Sequence, residues 1–408
     1  MPVRSQSRTG LRLRLAPESM AFTLVLGVLA ALPALSIDIS QPTLLAVQAE
    51  LGASLRAIGL TLTLFMVGFA AGQFSAGPLS DRFGRRRPLL VCLVAYIVAG
   101  LGCTVAMTAW ALVGWRLLQG VAAGGCVVLA FATVRDLFEG ETARAKRSYV
   151  TAVVSVAPML APTIGALVLA AGGWRPVYAV LVMGGAGLLA VIGVGFGETR
   201  VVVPGEARFR LRDGYASVLS DRRFVAMAAV NALSYGGVFA YIAGSPEVLI
   251  GNLGLSPRRY GLFFACTAAA LTAGAFTSGR SGKHSIGPRR LVWVGLVVGA
   301  ASAVALALAS AAHMEPVWLM LALLVVTLFC RGLTVPNAQH LALEPMLTHA
   351  GTAAAAMGVM QILTGAAASA AVAFLLPVLG SGGMTYMIAA FALASLGAWI
   401  LLVPRPPA

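Results

Sequence analysis

The chain has 408 residues, of which 59% are hydrophobic and only 11% are charged, and its mean hydropathy is +0.90. A soluble domain carries about 25% charged residues, so this composition excludes a water-exposed globular protein and predicts an all-α protein embedded in lipid. The net charge of +15 does not predict nucleic-acid binding, because the arginines lie in short clusters between apolar segments, where they set membrane topology.

Twelve apolar segments are each long enough to cross a bilayer, for which about 20 residues are needed. In chain order they are predicted at 20–40, 55–78, 88–108, 110–134, 147–171, 175–197, 223–243, 259–279, 288–311, 316–338, 350–379 and 382–403. Residues 1–19 hold four arginines and no small-residue cleavage site, so we expect a retained tail and a first span that acts as a signal anchor.

Lys and Arg are unevenly divided between the two sides of the predicted membrane. The side of the N-terminal tail also carries the arginines of the loops after every second span, whereas the other side carries only Arg56, Arg175, Arg258 and Arg259. The positive-inside rule then places both termini in the cytoplasm.

A polar stretch at 198–222 divides the spans into six and six. It predicts a cytoplasmic linker, whose basic residues also suit anionic lipid, between six-helix bundles at 20–197 and 223–403. The tails are then 1–19 and 404–408. Two related six-helix halves with pseudo-symmetry are typical of secondary transporters.

Asp38 is the clearest ionisable residue inside a span, towards the outer end of the first one. An intramembrane acid is costly unless it faces a cavity or a partner, and is therefore a functional candidate. Because a buried carboxyl that meets water from each side in turn can bind and release a proton, we predict a proton-coupling role. The alternative is an acid at the outer interface that only caps the helix before Pro42.

Other charged residues of the spans allow structural interpretations. Arg116, near the start of the fourth span, must face the bundle interior, with Gln119 one turn away, or snorkel to the headgroups. Arg331 of the tenth span is expected to snorkel or to meet Glu344, and Glu247 is expected to be an exposed loop acid.

Uncharged polar and aromatic residues of the spans are candidates for a substrate cavity. Three of them recur every four residues in the seventh span and can share one helix face, although aromatic stripes also serve helix packing. The predicted cavity residues are Gln41, Gln119, Asn231, Tyr235, Phe239 and Gln361.

The loop between the second and third spans combines glycines, an aspartate and arginines. Glycines permit a tight turn, and an aspartate among arginines can form a latch that holds one conformation and breaks in another. The residues predicted to form this gating motif are Gly77, Asp81, Arg82, Gly84, Arg85 and Arg86.

The fifth span carries two prolines and a glycine within eight residues, namely Pro158, Pro162 and Gly165. The prolines remove backbone donors and bend the helix, and small residues allow a second helix to approach closely. We therefore predict a hinge, with simple kinked packing as the alternative.

Nothing in the sequence predicts an enzyme, a metal site or a cofactor. The GxxxxGK[ST] phosphate loop and the HExxH metal motif are both missing from the sequence, and its four histidines are scattered. The five cysteines lie in apolar segments without CxxC spacing, which indicates free buried thiols.

These motifs together resemble a known family. Residues 77–87 resemble the signature loop of the major facilitator superfamily, Arg116 with Gln119 and Gly120 resembles its fourth-helix motif, and 157–165 resembles the fifth-helix motif of its drug/proton antiporters. The segments around Asp38 and at 135–138, 241–246 and 336–338 are similar to the Bcr/CflA drug-resistance subgroup.

The resemblance implies export of amphiphilic drugs such as bicyclomycin or chloramphenicol-type compounds against inward proton flow. It makes Asp38 the proton-coupling carboxylate, Arg116 its electrostatic counterpart, Asp81 and Arg85 the gate latch, and 158–165 the antiporter hinge. Glu247, Arg331 and the second-half loop at 279–290, which lacks the aspartate, depart from the pattern.

We expect the proton as coupling ion, a monomer in the lipid bilayer, no nucleic-acid partner, and the bacterial inner membrane as location. A proton-coupled importer of a small nutrient would use the same carboxylate with the opposite coupling. A non-transporting membrane sensor is the third hypothesis, but it needs neither the buried charges nor the latch.

Overall fold

The structure, a computed structural model, describes residues 15–199, 211–281 and 287–403. The predicted N-terminal arginines, residues 200–210 of the linker, Lys283 and the C-terminal tail lie outside the described residues. Everything below concerns the described part of the chain.

Helices make up the first half of the chain. They are α1 (Met20–Asp38), α2 (Leu44–Leu51), α3 (Leu55–Phe83), α4 (Arg86–Thr104), α5 (Ala109–Leu137), α6 (Gly140–Gly172) and α7 (Arg175–Gly195). A 3-10 turn, Gln41–Thr43, joins α1 to α2. Hydroxyls of Ser19, Ser54 and Thr108 accept backbone N–H bonds at the starts of α1, α3 and α5, as N-caps do.

The second half repeats this plan after a short helix in the linker. The helices are α8 (Leu211–Ser220), α9 (Arg222–Pro246), α10 (Pro257–Ser281), α11 (Pro288–Ala311), α12 (Val317–Leu343), α13 (Ala350–Leu379) and α14 (Gly382–Leu402). A π-helical turn, Glu247–Asn252, extends α9. Helix α8 was not predicted; its single short segment lies among polar residues and gives no spanning signal.

Twelve of the described helical segments are long and apolar enough to cross a membrane, at the predicted places. The first reaches Leu51 because the chain continues into α2 after the 3-10 turn. Large apolar side chains such as Val91, Leu160 and Leu308 lie exposed on the outside of the bundle, which suits contact with lipid rather than water. The chain is an all-α, multi-pass membrane protein.

The loop between α3 and α4 is shorter than the sequence suggests. Gly77 lies inside α3, with no atom near the position of a Cβ, so its expected role in a turn is wrong. Only Gly84 makes the turn, with φ +84°. The hydropathy signal ended at Pro78 because the residues after it are mostly polar, but the helix continues to Phe83.

Paired glycines show the internal symmetry of the two halves. A Cβ on Gly68 of α3 would overlap the Leu117 carbonyl oxygen of α5, and one on Gly120 would overlap the Phe65 carbonyl oxygen. In the second half, Gly274 of α10 and Gly332 of α12 meet the carbonyl oxygens of Phe329 and Leu271 in the same reciprocal way. Small residues thus let each pair of helices pack backbone to backbone, and α3–α5 corresponds to α10–α12.

The helix ends define two ends of the bundle. One end of the bundle, which we call the arginine end, carries the starts of α1, α4 and α6 and the ends of α3, α5 and α7. Its name reflects the loop arginines within 82–87, 135–147 and 280–290, which belong to this end. The other end is called the opposite end. Lys146 Nζ, which donates to Glu18 O at 2.9 Å and to Thr23 Oγ1 at 2.8 Å, ties α6 to the start of α1 at the arginine end.

The halves contact each other through α3 with α13 and through α6 with α10. Near the opposite end, Thr63 Oγ1 donates to Ser369 Oγ at 3.0 Å, and the Arg56 guanidinium lies 4.6 Å from the Phe374 ring centroid. The two pairs are related by the internal symmetry, because α3 corresponds to α10 and the α3–α13 contact therefore has its counterpart in the α6–α10 contact.

Candidate functional site

A cavity of about 340 Å³ lies between the two halves. Four helices of the first half and four of the second form its wall, which is mainly apolar. Its lining includes Ala30, Pro33, Ala34, Ile37, Asp38, Met66, Phe69, Val127, Phe131, Thr151, Val154, Pro158, Tyr235, Val238, Phe239, Tyr241, Ile242, Phe264, Thr267, Ala268, Leu271, Leu328 and Ile362. A mostly apolar cleft with a few polar groups is the usual form of a small-molecule site.

Asp38 is the only acidic or basic side chain in the described lining. It is the last residue of α1 and its side chain is 3% exposed. It does not cap the helix, because the N–H of Ile39 bonds the Leu35 carbonyl oxygen there. No described cation lies within ion-pair distance of it. An ionised carboxylate at this place has an apolar wall, no counter-charge and the negative end of a helix dipole beside it.

Aromatic and hydroxyl groups of the second half face the same cavity. The rings of Tyr235 and Phe239 are 4.9 Å apart on α9. The Tyr241 hydroxyl lies 2.9 Å from Thr267 Oγ1, which donates to the Phe264 carbonyl oxygen. The sequence did not predict Thr267 as a cavity residue, because a single threonine in an apolar helix gives no signal of its own.

The six predicted cavity residues separate into two groups. Tyr235 and Phe239 lie in the described wall, while the other four are outside it. Asn231, fully buried, accepts a hydrogen bond from Gln361 Nε2 at 3.0 Å. Gln41 is buried in the turn after α1. Spacing along α9 placed Asn231 on the face of Tyr235, but its amide oxygen accepts from α13 instead, and its Nδ2 has no hydrogen-bond partner among the described residues.

Arg116 lies inside the first half and does not snorkel, since it is 1% exposed. Its Nη1 donates to the Ser36 carbonyl oxygen at 3.0 Å and to Gln119 Oε1 at 2.8 Å, and its guanidinium lies 4.3 Å from the Phe65 ring centroid. Ser36 precedes Asp38 by two residues, so Arg116 holds the end of α1 from behind the cavity wall. The structure brings Arg116 to the helix of Asp38 without pairing the two side chains.

Arg331 is also buried, with 5% exposure, and both expected structural roles are wrong. The side chain neither snorkels nor forms an ion pair with Glu344 among the described contacts. Glu247 is half-buried rather than fully exposed, and one of its carboxylate oxygens lacks a hydrogen-bond partner among the described residues.

The loop motif forms a charge cluster at the arginine end. Arg85, 3% exposed, donates from Nη1 to Asp81 at 2.9 Å and from Nε to Asp136 of α5 at 2.7 Å. Burial alone would lower the pKa of the Arg85 guanidinium, but the bonds to Asp136 and Asp81 outweigh it and raise that pKa above its usual value. Arg85 is therefore permanently charged and joins three elements of the first half.

Glu198, at the end of the first half, is part of this cluster although the sequence did not indicate it. Its carboxylate accepts the backbone N–H groups of Arg85 at 2.7 Å and Arg86 at 3.2 Å. A Cβ on Gly84 would overlap Glu198 Oε2. The acid thus caps the start of α4, and glycine is needed beside it. Arg82 instead stacks on the neighbouring Phe83 ring, 5.2 Å from its centroid.

The proline-rich segment of α6 lies against Asp38. Pro158 is in the cavity wall and Pro162 is buried one turn further on. A Cβ on Gly165 would overlap the carbonyl oxygen of Ile39, the residue after Asp38. The motif therefore places the closest approach of α6 to α1 directly beside the buried acid.

A groove at the arginine end adjoins the cavity. It lies between α6 and α10 and is lined by Arg144, Arg147, Ser148, Ser155 and Phe276, among others. Thr151 belongs to the walls of both the groove and the cavity. The groove therefore reaches the cavity from the arginine end.

Two symmetric membrane bundles that enclose a cavity with one buried acid define a secondary transporter rather than an enzyme. The chain belongs to the Major Facilitator Superfamily, whose model matches residues 24–371. It is 32% identical over 363 residues to an uncharacterized MFS-type transporter, YdgK, of Bacillus subtilis, covering 86% of this chain and 88% of that one. It is 29% identical over 322 residues to the multidrug resistance protein MdtL of Escherichia coli, covering 78% and 79%.

Solved structures share this fold at low sequence identity. A bacterial homologue of the human lysosomal transporter Spinster, in an inward-facing and occupied conformation, matches with a TM-score of 0.78 at 14% identity, covering 95% of this chain and 97% of that one. A D-xylose–proton symporter matches with a TM-score of 0.77 at 17% identity, covering 94% and 98%. At these identities the likeness concerns the fold alone.

Proposed function

We propose that this transporter is a proton-coupled exporter of small amphiphilic drugs, of the Bcr/CflA type, which works by alternating access in a bacterial inner membrane. The observation that carries the proposal is Asp38, the one acidic side chain in the described lining of a mainly apolar cavity between the halves. The multidrug resistance name of MdtL, which is similar over 78% of this chain, supports a drug as the substrate.

The proposed coupling follows from the surroundings of Asp38. Protonation removes a charge that the apolar wall does not tolerate, whereas ionisation requires water or a ligand at the carboxylate. If the cavity opens to each side in turn, Asp38 binds a proton from the acidic outside and loses it inside, and drug binding competes with the proton. Arg116 would hold the end of α1 in place during this exchange.

The gating motif and the proline segment have proposed roles in the same cycle. The Asp81–Arg85–Asp136 cluster would act as a latch that holds one conformation of the first half and breaks in another. Pro158, Pro162 and Gly165 would allow α6 to move against α1 beside the proton site. Each chain contains both halves and a whole cavity, which supports action as a monomer. The loop arginines support placing the arginine end, and with it both termini, in the cytoplasm.

The test is growth inhibition across a drug panel in a bacterium that lacks its own exporters. Wild type is compared with Asp38→Asn, which keeps the shape of the side chain but cannot release a proton. We expect resistance to at least one compound, falling to the level of empty vector in Asp38→Asn. Glu139→Gln is the matched control, because Glu139 is an exposed acid before α6 that belongs neither to the described cavity wall nor to the described lining of the groove.

Two outcomes contradict the proposal in different ways. Resistance that survives Asp38→Asn at equal membrane expression places the proton site elsewhere. A wild-type chain that confers no resistance refutes drug export and favours a proton-coupled importer, the direction of coupling found in the D-xylose–proton symporter of similar fold. Uptake into inside-out vesicles, driven by an imposed pH gradient, then distinguishes the direction of transport.

A further inference from the structure

The guanidinium of Arg331 is buried in the second half without a partner. Nη1 and Nη2 are both shielded from solvent, and neither has a hydrogen bond or an ion pair among the described residues. A buried cation without an acceptor is strongly unfavourable. Arg116 in the first half, by contrast, has the Ser36 carbonyl oxygen and Gln119 as acceptors.

Helix packing does not require a cation at this place. Arg331 directly precedes Gly332, and Gln119 directly precedes Gly120, the equivalent glycine of the first half. The internal symmetry therefore aligns Arg331 with a neutral amide. The same glycine-mediated helix crossing forms with either residue, so the positive charge of Arg331 serves something other than the packing of α10 on α12.

Arg331 lies next to the cavity wall. It is one helical turn from Leu328, which lines the cavity, and Nη2 would be 2.5 Å from a Cβ on Gly237 of α9. Gly237 is adjacent in sequence to the lining residue Val238, and Tyr235, about one turn before Val238, also lines the cavity. Glycine leaves the space that the guanidinium fills, directly behind the aromatic part of the wall.

The approach to the cavity is also basic. The groove at the arginine end contains Arg144 and Arg147 and, in its described lining, no acid. The Arg147 guanidinium lies 6.0 Å from the ring of Phe131, which belongs to the cavity wall. Basic side chains along an entrance raise the local concentration of anions.

We infer that the transporter recognises amphiphiles that carry a carboxylate, with Arg331 as the group that binds this anion and Tyr235 and Phe239 as the surface for the apolar part. The inference rests on the proposed function and names the class of its substrate. An arginine offers a planar pair of donors that match a carboxylate. The ligand supplies the acceptor that the folded protein lacks, and a protonated Asp38 does not repel it.

The test compares dansyl-phenylalanine with its methyl ester, which lacks the negative charge and carries one additional methyl group. Binding to the purified full-length protein in detergent is measured by equilibrium dialysis against a protein-free micelle blank. We expect wild type to bind the acid about tenfold or more tightly than the ester, since hydrogen bonds to charged groups are worth at least that factor. Arg331→Gln should abolish the preference by weakening acid binding and leave ester binding within about threefold.

Two further variants separate recognition from folding. Gly237→Ala keeps the charge but places a methyl group against Nη2, so the preference for the acid should fall while the protein retains Arg331. Arg259→Gln removes an exposed arginine at the opposite end and should change neither affinity. If Arg331→Gln binds neither probe, the Gly237→Ala result decides: an unchanged preference overturns the inference, and a reduced one supports it.

The outcomes distinguish this inference from the proposed function. Equal or undetectable binding of both probes by wild type, or a preference that survives Arg331→Gln, overturns the inference. Dialysis needs no proton gradient, so an acid preference that depends on Arg331 supports it even if the drug panel shows no resistance. Resistance that depends on Asp38, with equal binding of both probes, leaves drug export standing and rejects the anion site alone.

Discussion

Asp38, Arg116 and Arg331 are all buried, but their surroundings differ in what they supply. Arg116 has two oxygen acceptors for its Nη1 and an aromatic face within the first half, although its Nε has no hydrogen-bond partner among the described residues. Arg331 has no described acceptor and Asp38 has no described cation. Because buried charges are retained mainly where they are paired or used, these two unsatisfied groups are the ones that we propose act on ligands.

The two carboxylates that bind Arg85 provide a test at the level of single residues. The side chain of Asp136 is 15% exposed and that of Asp81 is 51% exposed. Breaking a buried pair costs about 3–5 kcal/mol, whereas an exposed ion pair contributes about 0–1 kcal/mol. We expect Asp136→Asn to lower the melting temperature of the purified protein clearly, and Asp81→Asn to leave it nearly unchanged.

Thermal melts of the two variants in the same detergent check this expectation. Because both variants carry the same Asp-to-Asn change, they differ only in the position of the substitution. A transport assay on Asp81→Asn adds the functional part. If Asp81 belongs to the latch, transport falls although stability does not. Equal losses of stability for both variants would show that burial does not decide the strength of this cluster.

Close backbone contact between helices depends on glycines at particular places along α3, α5, α10 and α12. We expect Gly120→Ala and Gly332→Ala to destabilise the protein by about 1–3 kcal/mol each, because a methyl group there overlaps a carbonyl oxygen and the helices must separate. The corresponding measurement is the melting temperature, followed by the monodispersity of the purified protein.

Gly77 of α3 is the control for these substitutions. No atom surrounds the position of its Cβ, and it lies in a helix interior. Alanine is a better helix former than glycine by about 0.8–1 kcal/mol, so Gly77→Ala should be neutral or slightly stabilising. A loss of stability as large as that of Gly120→Ala would mean that the helix crossing is not what makes these glycines necessary.

At the opposite end of the molecule α3 contacts α13, and at the arginine end a groove adjoins the cavity. Export requires the opposite end to open, which separates α3 from α13. In Thr63→Cys/Ser369→Cys two thiols replace hydroxyls whose oxygens are 3.0 Å apart, so the two sulfurs start close together and need only a small shift to reach the S–S bond length of about 2 Å. Oxidation should therefore stop transport in vesicles, and a reductant should restore it.

The single variants Thr63→Cys and Ser369→Cys control for the native cysteines, of which Cys266 is exposed. They should retain transport under the same oxidant. Undiminished transport by a chain whose cross-link is demonstrated on a gel would show that α3 and α13 need not separate, and would argue against alternating access through this contact.

Sequence patterns predicted the twelve spans well, since hydropathy over about 20 residues is a local property. The first span and α3 were extended by turns whose residues are polar, and α8 was missed for the same reason. The site was predicted in part: Asp38 and Tyr235 follow from rarity and spacing, but Asn231 and Gln361 bond each other. Periodicity indicates a face of a helix and does not say which neighbour covers it.

The amino-acid sequence by itself determined a membrane protein of twelve helices in two sets of six, one acid within the first span, and a glycine–arginine loop after the second. These features depend on composition and spacing within one segment. Only the tertiary structure decided that Asp136 and Glu198 join Arg85, that Gly165 meets Ile39, and that Arg331 has no acceptor. Each of these facts is a contact, or a missing contact, between residues far apart in the chain, and it arises from how whole helices pack.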